Sequence, residues 1–313
     1  MRNKLFSSIS IKKVLTRLNT SFTSVGLEKN DLFFASSRNI KTGGIYFCES
    51  ASNSSQLIRN SLIICRSVDG LDGSNTFILT KEPQLVFYKL MRHFFATEAK
   101  SVIHSTAVVS KNAHIASGVS VGPYCVIGNC VIRKGVRLSS HVVVEDRCEI
   151  GENSTIESHS TIGATGVSWI WDPLSHQRVV QPQIGGVIIE NDVFIGTNVT
   201  IVRGSVNENT IIGSGTLVAH GTKIGHGCVI GSNNHFANAV SLAGNVVTGK
   251  NCFFGSACAV RPMINIAEDT VVATGAVVVS HIEIEGLLAV GLPAVLKPRS
   301  KEKYAGVPKS SKF

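Results

Sequence analysis

From about residue 103 the apolar positions recur every six residues. Ile103, Val109, Ile115, Val121 and Ile127 share one register. After a five-residue step it resumes at Ile132, Leu138, Val144, Ile150, Ile156 and Ile162. A third stretch holds Ile189, Ile195 and Ile201. The longest runs through Ile212, Val218, Ile224, Ile230, Phe236, Leu242, Thr248, Phe254, Val260, Ile266, Val272 and Val278, with Thr248 its one polar member. A period of six fits neither a helix of period 3.6 nor simple alternation. It fits a parallel β-helix, in which each hexad supplies a short strand and a corner and the large aliphatics stack inside. Glycine often follows the aliphatic, at Gly122, Gly128, Gly151, Gly196, Gly213, Gly225 and Gly231, which predicts corners with unusual backbone angles. Four residues after the aliphatic comes a second inward position for a small side chain. Cys125, Cys148, Cys228, Cys252 and Cys258 fall there, so five of the eight cysteines read as packing groups rather than ligands or nucleophiles.

Two stretches break the register. Residues 163–184 carry both tryptophans, Trp169 and Trp171, with Asp172, Pro173 and His176; residues 202–211 form the second break. Insertions in a solenoid project from one face and commonly build a binding site. The first reads either as a hydrophobic plug or as a lid over a substrate.

Residues 1–100 lack the hexad period. Leu62–Cys65 and Thr76–Leu79 predict short strands, and Gln84–Phe95 a helix with Leu85, Tyr88, Leu90 and Met91 apolar. The expected division is a small α/β domain over 1–100, a β-helix over 101–296 and a basic polar tail over 297–313. Residues 1–27 contain Arg2, Lys4, Lys12, Lys13 and Arg17 and no acid before Glu28. They read as an amphipathic helix using Ile9, Ile11, Val14, Leu15 and Leu18, with a transit peptide as the alternative.

Composition narrows the partners. The net charge is +9, with Lys297, Arg299, Lys301, Lys303, Lys309 and Lys312 gathered in the tail. That suits a solvated tail, a phosphorylated substrate or an acidic carrier protein. Aromatics are few and not interleaved with the basic residues, which argues against single-stranded nucleic acid. No apolar run reaches the ~18 residues of a membrane span. There is no CxxC pair and no zinc-like spacing, so no metal is expected.

The repeat resembles the hexapeptide-repeat acyltransferases over most of residues 101–296. The resemblance implies a left-handed parallel β-helix with triangular coils of about 18 residues, assembled as a homotrimer. The segments Thr42–Phe47, Ser61–Arg66, Glu82–Met91 and above all Pro182–Gly204 resemble the branch that N-acylates UDP-3-O-acylglucosamine in lipid A biosynthesis. It implies a cytoplasmic enzyme with no bound cofactor, taking a UDP-sugar acceptor and an acyl thioester of acyl carrier protein or CoA. The family's uracil motif reads Ser50-Ala51-Ser52-Asn53 here, its Gly-Phe-Gly-aromatic segment reads Gly166-Val167-Ser168-Trp169, and the acid before Arg203 is Val202.

Acyl transfer needs a base for the acceptor proton and donors for the oxyanion on the thioester carbonyl. Histidine is the usual base near neutral pH. His226 occupies the family's catalytic place, and Gly244, eighteen residues on, should lie one coil above it as oxyanion donor. Phe47, Trp169, Arg203 and Asn234 are expected substrate contacts, and His220 and His235 read as structural or substrate-contacting. His220 should lie on a neighbouring face, and His235 at a corner. Gly291–Ala294 reads Gly-Leu-Pro-Ala, similar to a segment near pantetheine in CoA-dependent members. The readings therefore stand as a carrier-protein-dependent N-acyltransferase, a CoA-dependent N- or O-acetyltransferase of sugars, or a β-helix scaffold without activity.

Overall fold

The computed structural model describes residues 9–10, 31–50, 55–95 and 101–298. The chain divides into two units, Met1–Glu98 and Ala99–Phe313.

In the first unit five strands form one sheet in chain order: β1 (Ile9–Ser10), β2 (Asp31–Phe34), β3 (Gly44–Cys48), β4 (Leu62–Cys65) and β5 (Thr76–Leu79). β1 runs antiparallel to β2; the other neighbours are parallel. The helix α1 spans Pro83–Phe95. Side chains alternate across the sheet. Ile45, Leu62, Ile64 and Ile78 meet Phe87 and Leu90 of α1 on one side, while Tyr46, Ile63 and Cys65 pack on the other. The sequence-expected apolar face of α1 is corrected. Pro83, Phe87 and Leu90 are its buried residues, and Leu85, Tyr88 and Met91 are exposed, because the sheet selects one helical stripe. Of the helix expected within residues 1–27, Ile9–Ser10 is instead a strand; the rest lies outside the described residues.

The second unit is a parallel β-helix. Its three sheets hold eight, ten and nine strands, stacked coil on coil, as the hexads require. Most strands are only two residues long, so one residue points inward and one outward. One face carries Val229–Ile230 beside Val247–Thr248, the next His235–Phe236 beside Phe253–Phe254, the third Lys223–Ile224 beside Ser241–Leu242. The inward members form one continuous core from Val119 to Ala289. Phe236 lies flat on Phe254, with ring centroids 4.4 Å apart and planes 4° apart. Ile103, at the first described rung, is bridged to Val121 but half-exposed, with no coil beneath it among the described residues. At the far end an antiparallel hairpin, Leu287–Val290 with Val295–Pro298, pairs with Val271–Val272 and caps the stack.

The glycines that follow the aliphatics have a different role from the one the sequence suggests. None of them has positive φ; except after Gly128, the left-handed residue comes two positions later, as at Asn153 (φ 58°), Asn198 (φ 56°) and Gly227 (φ 66°). What demands glycine is contact between coils. A Cβ on Gly225 would stand 2.6 Å from the Gly244 nitrogen above it.

All eight cysteines are buried and free. Burial pushes the Cys148 and Cys258 thiols up to about 12, and Cys130 and Cys228 to about 11, so these groups stay protonated at neutral pH. Asn234 is also buried. Its amide donates to Thr248 Oγ1 at 2.9 Å and to the carbonyls of Gly231 (3.0 Å) and Gly249 (2.9 Å), and accepts from the Cys252 amide. The substrate contact expected for Asn234 is thereby corrected: it is buried, and its polar atoms serve Thr248, the one polar member of the 212–278 aliphatic run, and the backbone beside it.

Two outcomes follow from this packing. Phe236→Ala should lower unfolding free energy by about 3–5 kcal/mol in denaturant melts, since the void sits between two stacked coils. In the native protein at pH 8 a thiol reagent should label no cysteine of the repeat core, and unfolding should expose all eight thiols.

Candidate active site

His226 follows the strand Lys223–Ile224 at the corner that leads to Val229–Ile230. The corner is fixed by backbone bonds: Gly225 N–H donates to Leu242 O at 2.9 Å and Asn245 N–H to His226 O at 2.7 Å. The coil register places Gly244 directly against the imidazole. A Cβ on Gly244 would stand 2.5 Å from His226 Nε2, so only glycine leaves the ring in place. His226 Nδ1 is buried and has no hydrogen-bond partner among the described residues.

The break at 202–211 comes up beside this corner. The strand Thr200–Val202 ends, and the chain turns through Ser205 and Val206 before re-entering the stack at Thr210–Ile212. Glu208 closes the turn: Oε1 accepts from Ser205 N–H at 2.7 Å and Oε2 from Val206 N–H at 3.1 Å. The Ser205 and Val206 amides hold the carboxyl below its usual range, and the neighbouring His226 charge acts in the same direction. Reading the sequence did not place Glu208: it is an acid inside a break of the repeat, and nothing in a period of six says which corner it will meet.

The other break is an antiparallel hairpin, Trp169–Asp172 paired with Gln177–Val180. The stack continues past it, with Ile150 paired to Ile189 and Ile162 to Ile201, and the register shifts where the hairpin departs, between Ile162 and Ala164. Trp169, Trp171, Ile170 and Leu174 are exposed, so the hairpin is not a buried plug. Trp169 is covered on one side by the Arg178 guanidinium, 4.7 Å from its ring.

The remaining candidates are scattered. His235 is not at a corner: it is the outward residue of the strand His235–Phe236, edge-on to Phe253 at 5.2 Å. His220 sits at a different corner from His226, and its Nδ1 accepts from the Thr197 amide at 3.0 Å, tying two coils together. Arg203 is mostly buried; its Nε donates to Gly163 O at 2.8 Å, and Glu145 lies 4.0 Å from the guanidinium. In the first unit Phe47 packs on Phe87 (5.1 Å) and lines a cavity of about 380 Å³ with Phe34, Ser36, Arg38, Tyr88 and Met91. No helix among the described residues is long and apolar enough to cross a membrane.

Comparison with known proteins decides the family. The profile "Bacterial transferase hexapeptide (six repeats)" matches residues 129–164, and "Hexapeptide repeat of succinyl-transferase" matches 205–234 and 245–280. The UDP-3-O-acylglucosamine N-acyltransferase of Bordetella avium is 30% identical over 265 residues, covering 77% of this chain and 73% of that protein. The chain belongs to the hexapeptide-repeat acyltransferase family. The acyl-[acyl-carrier-protein]–UDP-N-acetylglucosamine O-acyltransferase of Thermodesulfovibrio yellowstonii is 37% identical over 147 residues, 46% of this chain; the match spans about half of that relative, 54%. The LpxA structure from Acinetobacter baumannii superposes with a TM-score of 0.55 at 30% identity, over 62% of this chain and 73% of that one.

If the Gly244 backbone must lie against His226, Gly244→Ala should fold yet lose about 100-fold or more in kcat, measured with unfolding midpoints as the control for stability.

Proposed function

We propose that this chain is an N-acyltransferase that moves a 3-hydroxyacyl group from acyl carrier protein to the amine of a UDP-linked acylglucosamine. The observation that carries the reading is the seating of His226 Nε2 against the backbone of Gly244, one coil above. The names of the relatives support the substrate class. The aromatic cavity around Phe47 supports a planar base as part of the acceptor.

The chemistry follows from two groups. His226 Nε2 takes a proton from the attacking amine as nitrogen bonds to the thioester carbonyl carbon. The carbonyl oxygen becomes an oxyanion, to which the Gly244 N–H donates. When the tetrahedral intermediate collapses, the carbon–sulfur bond breaks. The imidazolium returns its proton to the leaving thiolate, giving amide and free thiol. No metal is needed for any of these steps. Trp169 and Arg203 are proposed to guide the substrate, and His220 and His235 to shape the walls beside it. Assembly as a homotrimer would supply a facing wall for the cleft.

A second reading, a CoA-dependent N- or O-acetyltransferase, rests on Gly291–Ala294. This segment forms the exposed turn of the terminal hairpin, with Leu292 76% exposed and free to meet a pantetheine arm.

A single-turnover assay should separate the two. With UDP-3-O-acylglucosamine as acceptor, 3-hydroxyacyl carrier protein should give amide product and acetyl-CoA none; the reverse would establish the second reading. His226→Ala should lose roughly 10²–10⁴-fold in rate with whichever donor works, and a variant that keeps its kcat would remove His226 as the base.

A further inference from the structure

We infer that Gln183 is a specificity-determining residue for the acyl donor: its side-chain N–H donates to an oxygen on the third carbon of the acyl chain, while His226 and Gly244 handle the carbonyl. The inference rests on the reading of His226 as base and Gly244 as oxyanion donor. It adds the group that tells a 3-hydroxyacyl chain from a plain one.

Gln183 follows the projecting hairpin and is only 7% exposed. Its Oε1 accepts from Gly166 N–H across the base of that hairpin. This bond settles which end of the amide is nitrogen, since a flipped amide would set two N–H groups against each other. The nitrogen, Nε2, is buried and has no hydrogen-bond partner among the described residues. A buried donor without an acceptor costs stability. A peg that holds Gly166 needs only the oxygen, so packing does not account for the nitrogen.

The coil register puts this amide at the His226 corner. Nε2 and Val202 Cγ1 both stand 2.9 Å from the point that a Cβ on Gly166 would occupy. Val202 follows Ile201, and Ile201 pairs with Ile224 of the next coil. Val202 therefore lies one coil below Gly225, the residue before His226. Gly244 lies against the ring from the coil above. Along the corner stand the Gln183 amide with Val202, then His226, then Gly244. A thioester carbonyl seated at Gly244 has its third carbon two bonds away. A chain that runs down the corner carries the oxygen on that carbon towards the coil of Val202, about 4.8 Å below His226. One donor beside an aliphatic side chain suits an acyl chain with a single oxygen better than a phosphate or a sugar, which would bring several oxygens to be paired. The hairpin strands Trp169–Asp172 and Gln177–Val180 pair only with each other, so the segment gives way to a chain without breaking a ladder of the coils.

The test is a pair of thioesters that differ only in that oxygen: a 3-hydroxyacyl chain and the unsubstituted chain of equal length. Each is offered on carrier protein and on CoA, with UDP-3-O-acylglucosamine as acceptor. Wild type should favour the hydroxylated chain by about 10–100-fold in kcat/KM, since the plain chain leaves Nε2 unpaired. In Gln183→Met, which keeps the length and removes the donor, that ratio should fall to within about threefold. An N–H needs only an acceptor, so wild type should take a 3-oxoacyl chain within about tenfold of the hydroxylated one. This arm uses no variant and decides the matter should Gln183→Met fail to fold. Equal turnover of the plain and hydroxylated chains by wild type would overturn the inference and leave Gln183 as the peg of the hairpin. So would a 3-oxoacyl chain refused as strongly as the plain one, or a Gln183→Met protein with its full preference. No product from any thioester would strike the acyltransferase reading itself, and the role of Gln183 with it.

Discussion

The interaction on which the rest depends is the seating of each inward side chain on the one a coil below it. A two-residue strand offers one inward position, and parallel pairing fixes what lies above and beneath. Phe236 must therefore meet Phe254, and Ile224 must meet Leu242. The stack tolerates a polar rung only when it is fully bonded, as Thr248 is through Asn234. It has so little room at the corners that glycine stands where the next coil's backbone passes, as at Gly225.

That rigidity gives the candidate site its accuracy. His226 and Gly244 belong to adjacent coils, and their mutual position follows from the register rather than from a flexible loop. The backbone around them is bonded on both sides of the corner, by Gly225 to Leu242 and by Asn245 to His226. The base and oxyanion donor proposed for His226 and Gly244 would, held in this way, start close to the geometry acyl transfer needs.

The breaks in the repeat add what a pure solenoid lacks. A uniform coil presents two-residue strands and corners, with little that can reach over a neighbour. The hairpin at 169–180 costs the stack only a local shift of register at Ile162–Ala164, because Ile150 and Ile189 close the gap. The loop through Ser205 and Glu208 brings a fixed negative charge beside a corner that the coils alone would leave without one.

The period of six determined the β-helix, the inward residues and the packing role of the cysteines, because only stacked hexads repeat in that way. It also determined that His226 and Gly244 would meet, since one coil separates them. Tertiary structure decided the rest. The glycines after the aliphatics proved to mark close contact between coils, a property of the neighbouring backbone that no local pattern carries. Asn234 turned inward because Thr248 and two carbonyls of the adjacent coils await it there. His235 took an outward face position because the strand that holds it has two residues and Phe236 claims the core. Glu208 came to lie beside Gly227 through a loop whose path depends on contacts far apart in the chain, and those contacts exist only once the coils are stacked.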